Sequence, residues 1–283
     1  MTIVAAWLTE MGVGQKSVRC VADARLSTRD GESIFPLTDS GAKLFSIPLN
    51  AYSPSPSGGY TNRYLSSSLG LAFSGDSLIS LTLASTLSSI TSQLISPHTE
   101  SKPSLEDIGH LSVRIATKLK SGMRAARPGG EHRGFQMALF GWCPVKERYE
   151  LRHFRSSSWD STIQLETFEL EPRASIFLMG DQVEVIRTEI ERRRMGLGGI
   201  AWELVPEDIV RRFASEGGIP SVGGQIQIGR GTKKGFYLWP TVQYVADGER
   251  IKEKLIFRGL DVYEEIGHIG PCQVYIGNDS QLP

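Results

Sequence analysis

Three side chains near the start of the chain have the types needed for acyl transfer: Thr2, Asp23 and Lys43. Thr2 stands directly behind Met1, so removal of that methionine would leave a free α-amine and a hydroxyl on one residue. Such a residue can act as its own nucleophile and base, because the amine can take the proton from the hydroxyl. An α-amine has an ordinary pKa of about 7.7 to 8.0, and a nearby cation that disfavours its protonated form makes it a usable base at neutral pH. Lys43 is the candidate for that cation, and Asp23 for the carboxylate that holds it charged and in place.

Each of the three sits at the end of a predicted strand. The apolar run from Thr2 to Leu8 reads as a strand. A second, Ser17 to Asp23, closes on the aspartate, and a third, Lys43 to Leu49, opens on the lysine after the turn-like Thr38-Asp39-Ser40-Gly41. Three strands thus bring one end each to what can be a common edge.

Composition narrows the alternatives. The chain has 283 residues, 40% hydrophobic and 22% charged, as expected of a soluble globular protein with a sizeable core. Lys plus Arg and Asp plus Glu are equal at 31 each, so no global basic field asks for nucleic acid. Cys20, Cys143 and Cys272 lack CxxC spacing, which points to a reducing, cytoplasmic setting, and no secretory signal is apparent. The five histidines show no ligand spacing, so no metal and no cofactor is expected. The uncharged stretch Ser77 to Ser96 is rich in Ser and Thr and reads as a buried helix, with no membrane span expected. Gly229 to Gly235 is basic and Gly-rich but lacks P-loop spacing, and reads as a tight hairpin.

Further along, Ser53-Pro54-Ser55-Pro56-Ser57-Gly58-Gly59 is expected to be a mobile surface loop overhanging the site. Leu69 to Phe73 reads as a buried strand ending at Ser74-Gly75-Asp76. Ile79, Leu83, Leu87, Ile90 and Leu94 then mark one face of a helix that Pro97 stops. A second helix starts at the capping box Ser104 to Asp107. Four strands follow between 135 and 179, then a helix from Gly180-Asp181, another from Leu204 with Pro206 in its first turn, and strands Gly224 to Ile228 and Phe236 to Val245. Paired helices beside mainly antiparallel strands suit a layered α+β architecture. Two face-to-face sheets with helices on both outer faces, an αββα sandwich, would satisfy every element.

The strand from Thr2, the run Val21-Ala22-Asp23-Ala24-Arg25, Lys43 at a strand start, Phe73-Ser74-Gly75-Asp76 before a long helix, and Ser221-Val222-Gly223-Gly224 near the end occur in an order that resembles the proteasome β-subunit family. That family is meant broadly, including HslV, Anbu and other bacterial homologues among the N-terminal nucleophile hydrolases. The resemblance covers roughly residues 2 to 230. It implies the four-layer αββα sandwich, with residues 1–245 as the hydrolase domain and 246–283 as a strand-containing C-terminal extension packed on it. It also implies a threonine endopeptidase in a homo-oligomeric ring, acting on peptides or unfolded polypeptides. Thr2 would be the nucleophile, Lys43 and Asp23 its supports, the Gly75 N–H the oxyanion donor, and Phe73 a wall of the substrate pocket.

The chain departs from the family pattern in three places. Active members often carry Ser where this chain has Asp181, and an Asp and a Ser just before the late Gly-Gly, where this chain has Ile219-Pro220-Ser221-Val222. Ile3 follows Thr2 where a second Thr or Ser is common. Asp181 is the candidate for the displaced supporting carboxylate. An inactive structural or binding subunit of the same fold, and an amidase acting on a small molecule, are the alternatives. No ATPase regulator can be read from the residues.

Overall fold

The computed structural model describes residues 2–11, 15–30, 33–97, 100–126, 134–158, 161–247, 250–273 and 276. In chain order the first elements are β1 (Ile3–Met11), β2 (Gln15–Ala22), β3 (Leu26–Asp30), β4 (Ser33–Thr38), β5 (Leu44–Ser53), β6 (Asn62–Gly75), α1 (Ser77–Thr91), β7 (Leu94–Ile95) and α2 (Leu105–Ala126). There follow β8 (Phe135–Cys143), β9 (Arg148–Ser156), β10 (Gln164–Phe168), β11 (Ile176–Gly180), α3 (Val183–Arg194), α4 (Gly199–Glu216), β12 (Gln227–Thr232) and β13 (Gly235–Trp239). The last are β14 (Thr241–Asp247), β15 (Arg250–Phe257), β16 (Leu260–Asp261), a π-helical turn (Val262–Ile266), β17 (His268–Ile269) and β18 (Cys272–Gln273).

The expected four-layer αββα sandwich does not describe this chain, which is mixed α+β, with the strands of the described residues spread over five sheets. The larger sheets have orders β11-β1-β2-β12-β13 and β10-β9-β8-β6-β5-β7. Three smaller ones, β14-β15-β16, β17-β18 and β3-β4, fall outside a two-sheet plan. Between β2 and β5 the chain forms the β3–β4 hairpin; its Phe35 and Leu37 face solvent, so no buried alternation marks it as strand. Pro240 splits the expected strand 236–245, because it has no N–H for a ladder, and β13 and β14 join different sheets.

Three apolar clusters set the larger sheets and helices in place. Ile79, Leu83 and Leu87 of α1 and Leu105 and Ile108 of α2 pack on Leu71, Phe73, Met137 and Phe154. Val4, Ala6, Val18 and Cys20 meet Ala72, Ala138, Phe140 and Leu151 between the sheets. Ile186, Ile190, Ile209 and Val210 cover Ala5 and Trp7. The two faces of β1 therefore serve different clusters, as the two-residue period of a strand requires.

Several elements differ from their sequence expectation for identifiable reasons. Helix α1 stops at Thr91, and Leu94 and Ile95 instead pair in parallel with Ala51 and Tyr52 of β5. Helix α4 begins five residues earlier than expected, so Pro206 lies inside it. A proline there leaves the carbonyl four residues back without its helical donor. That carbonyl belongs to Trp202, and Arg194 Nε donates to it at 3.2 Å while the guanidinium lies over the Trp202 ring.

Candidate active site

Antiparallel pairing gathers the first half of the site. β1 lies between β2 and β11, with Val4 opposite Ala22 and Ile3 opposite Gly180. The start of β1 therefore meets the ends of both neighbours, and Thr2, Asp23 and Asp181, each one residue beyond its strand, converge. The second half comes from the other large sheet. There β5 pairs antiparallel with β6, with Leu44 opposite Ala72, so Lys43 at the start of β5 sits beside Phe73 to Gly75 at the end of β6. The Phe73 N–H donates to the Lys43 carbonyl at 3.2 Å.

Asp23 is the hub. Its Oδ1 accepts from Lys43 Nζ at 2.9 Å and from the Ile3 N–H at 3.0 Å. Its Oδ2 accepts from the Gly223 N–H at 3.1 Å and the Arg25 N–H at 3.3 Å. Neither Asp23 nor Lys43 has exposed side-chain surface. Burial disfavours charge on both: it lowers the Lys43 pKa, against the attraction of Asp23 and Asp181, and raises that of Asp23, against Lys43 and the backbone donors. The same carboxylate thus ties the lysine to the backbone beside Thr2.

Thr2 is buried, at 2% exposure. Its carbonyl accepts from the Asp181 N–H at 2.8 Å. Gly180 makes that approach possible: its φ is +112°, and a Cβ there would overlap the Thr2 carbonyl oxygen. The expected removal of Met1 concerns a residue outside those described.

Two positioning residues escaped the sequence reading. Gln227 Oε1 accepts from the Lys43 and Leu44 N–H groups, both at 3.1 Å, and its Nε2 donates to the Gly41 carbonyl at 2.6 Å. A buried Gln opening a strand carries no sequence signal for this role. Ser221 Oγ donates to Asp181 Oδ2. Its place directly before Val222-Gly223-Gly224 was the available signal.

Arg25 clamps the same corner. It pairs with Asp39 at 2.6 Å and donates to the carbonyls of Pro220 and Val222. From the C-terminal region, Arg258 donates to the Leu44 carbonyl at 2.7 Å with its guanidinium over the Phe45 ring. The Ser/Pro/Gly tract expected to overhang the site lies at the opposite end of β5 and β6, because the hairpin that starts at Lys43 turns there.

A cavity of about 610 Å³ adjoins Asp181, and its lining includes Ser74, Gly75, Gln136, Arg155, Gln164 and Gly180. Gly75, with φ of +94°, is thus at the cavity wall. Phe73 is not: its ring is 1% exposed, belongs to the core under α1 and stacks on Phe45 at 6.2 Å. Among the described residues no group of three His, Cys, Asp or Glu could hold a metal ion, and no helix is long and apolar enough to cross a membrane.

No protein-family profile matches the chain, and no curated protein does. Among solved structures it is similar to Anbu (ancestral beta-subunit) from Yersinia bercovieri, with a TM-score of 0.49 and 14% identity, over 84% of this chain and 87% of that one. It is also similar to a helical assembly of the Anbu complex from Pseudomonas aeruginosa, with a TM-score of 0.49 and 12% identity, over 84% of this chain and 86% of that one.

Proposed function

We propose that the protein is a threonine peptidase that uses Thr2, exposed by removal of Met1, to hydrolyse peptide bonds. The carrying observation is the buried Lys43–Asp23 pair, whose carboxylate also holds the Ile3 N–H one residue from Thr2. A cation buried beside an α-amine disfavours the protonated amine and keeps it available as base.

The reaction runs in two halves. Thr2 Oγ attacks the peptide carbonyl and its proton passes to the α-amine. Collapse of the tetrahedral intermediate breaks the C–N bond, and the proton goes to the leaving amine. Water then attacks the resulting ester, with the same amine as base, releasing the acid and restoring Thr2. The Gly75 N–H serves the oxyanion, where such a donor typically contributes on the order of 100-fold or more in rate. Asp181, braced by Ser221, orients the amine in place of the carboxylate that the chain lacks before Gly223. Residues 1–245 carry this chemistry. Residues 246–283 serve as an extension whose Arg258 braces the strand that starts at Lys43. Copies of the chain assemble with one another in a reducing cytoplasm.

Intact mass and peptide hydrolysis test the reading together. The native protein is expected to lack Met1 and to cleave fluorogenic peptides, Thr2→Ser to retain part of that activity and Thr2→Ala to lose it. Retained Met1, or hydrolysis undiminished in Thr2→Ala, overturns it; retained Met1 without hydrolysis is the result expected of a structural subunit.

A further inference from the structure

The cavity beside Asp181 has a built polar floor. Across β6, β8, β9 and β10, pairing places Ser74 opposite Gln136, Gln136 opposite Arg155, and Arg155 opposite Gln164. Residues directly opposite in antiparallel pairs share a face, so these four form one row. Two residues further into the sheet, on the same face, the row is Ala72, Ala138, His153 and Glu166. Two further it is Gly70, Phe140, Leu151 and Phe168, which reaches the apolar cluster between the large sheets. The face therefore changes from apolar to hydrogen-bonding at the edge where Gly180 and Asp181 of the other sheet close the cavity.

The charged groups around this floor already have hydrogen-bond partners. Arg155 donates to Gln164 Oε1 at 3.2 Å and pairs with Glu166 at 3.1 Å. Asp181 accepts from Ser221. Behind the wall, Lys120 Nζ donates to Ser156 Oγ at 2.8 Å and to the Ser161 carbonyl. What remains for a ligand is a wall of hydroxyls and carboxamides, which also includes Ser157 and Thr162.

From this row we infer that the cavity is the specificity subsite of the enzyme and takes an uncharged polar side chain, Gln, Asn, Ser or Thr, from the residue adjoining the cleaved bond. This rests on the peptidase reading of Thr2. An aliphatic group seated on this wall would take its donors and acceptors out of water without giving them partners, and a site built to hydrogen-bond discriminates strongly against a group that cannot. An anionic side chain would have to displace Glu166 from Arg155, and a cationic one would compete with the Thr2 amine for Asp181.

Two measurements separate this inference from the reading beneath it. In a randomised peptide mixture digested by the native protein and read by mass spectrometry, one position next to the cut should favour Gln, Asn, Ser or Thr over Leu and Val by about ten-fold or more. In Gln136→Leu that preference should fall to near parity. Enrichment of Leu, Glu or Lys at both flanking positions, or a profile unchanged in Gln136→Leu, overturns the subsite. Binding without cleavage supplies the second arm: calorimetric titration with acetyl-alanyl-glutamine amide and its leucine counterpart, on native and Gln136→Leu protein. Tighter binding of the glutamine peptide, lost in the variant, upholds the subsite even if no peptide is cut, and equal or tighter binding of the leucine peptide overturns it.

Discussion

Lys43 Nζ lies 2.9 Å from Asp23 Oδ1, and neither side chain reaches solvent. Removing one partner of such a pair leaves an uncompensated buried charge, which costs about 3–5 kcal/mol, whereas replacing both is often close to neutral. Lys43→Met is therefore expected to lower unfolding free energy by that amount in urea titration. Asp23→Asn combined with Lys43→Met should recover only part of the loss, because Asn keeps one oxygen for the Ile3 N–H while its amide nitrogen faces the Gly223 and Arg25 N–H groups. Both variants should lose hydrolysis. A single substitution costing under about 1 kcal/mol would count against the pair as described.

The hydrogen bond from Ser221 to Asp181 is the local answer to the carboxylate missing before Gly223. Hydrogen bonds to charged groups are worth about 1.5–3 kcal/mol. If Ser221 acts only through Asp181, Ser221→Ala should lower kcat roughly ten-fold or more, leave KM unchanged, and shift the acid limb of the kcat profile, which follows the base. Ser221→Thr, which keeps the hydroxyl, should restore much of the rate. A loss of stability with no change in the pH profile would assign Ser221 a purely structural role.

Thr2, Asp23 and Lys43 were legible because each ends a strand whose apolar pattern is strong, and antiparallel pairing converts strand ends into neighbours. Gln227 and Arg258 were not legible, since they act on backbone groups of residues 41 to 44 from 183 to 214 positions away. Phe73 illustrates the opposite error. Its position beside Gly75 suggested a pocket wall, but side chains alternate along β6, so Ser74 faces the cavity and Phe73 faces the helices. The four-layer expectation failed on short strands that carry little buried alternation, namely β3, β4 and those after Pro240.

Gly180 is the position where backbone conformation and the site meet. Alanine there would overlap the Thr2 carbonyl oxygen in addition to adopting a φ of +112°. Strain of that kind costs about 1–3 kcal/mol before any clash. Gly196, with φ of +78° and open space around its Cβ direction, is the control. Gly180→Ala is expected to lose more stability than Gly196→Ala and to lose hydrolysis as Thr2 is displaced, while Gly196→Ala keeps full activity. Equal stability losses with activity intact in both would show that Thr2 tolerates the displacement.

The start of α2 supplies a test independent of the chemistry. Ser104 Oγ accepts from the Asp107 N–H at 3.1 Å, while Asp107 Oδ2 accepts from the Ser104 hydroxyl at 2.7 Å and from its N–H at 2.8 Å. The Ser104 hydroxyl and then its N–H hold the Asp107 carboxyl below its ordinary pKa of about 3.9. A carboxyl with a depressed folded-state pKa contributes stability that is present above its unfolded value and lost as pH falls through the folded one. Ser104→Ala is expected to cost about 1 kcal/mol at pH 7, as loss of a helix cap typically does. Asp107→Asn should also be less stable than the native protein at pH 7, with the gap closing as pH is lowered through about 4 and below. Urea titrations of both variants at pH 7, 5 and 3.5 measure this directly. A gap for Asp107→Asn that stays constant across the series would mean that the ionised carboxylate is not what stabilises the helix start, and that the hydroxyl of Ser104 alone caps α2.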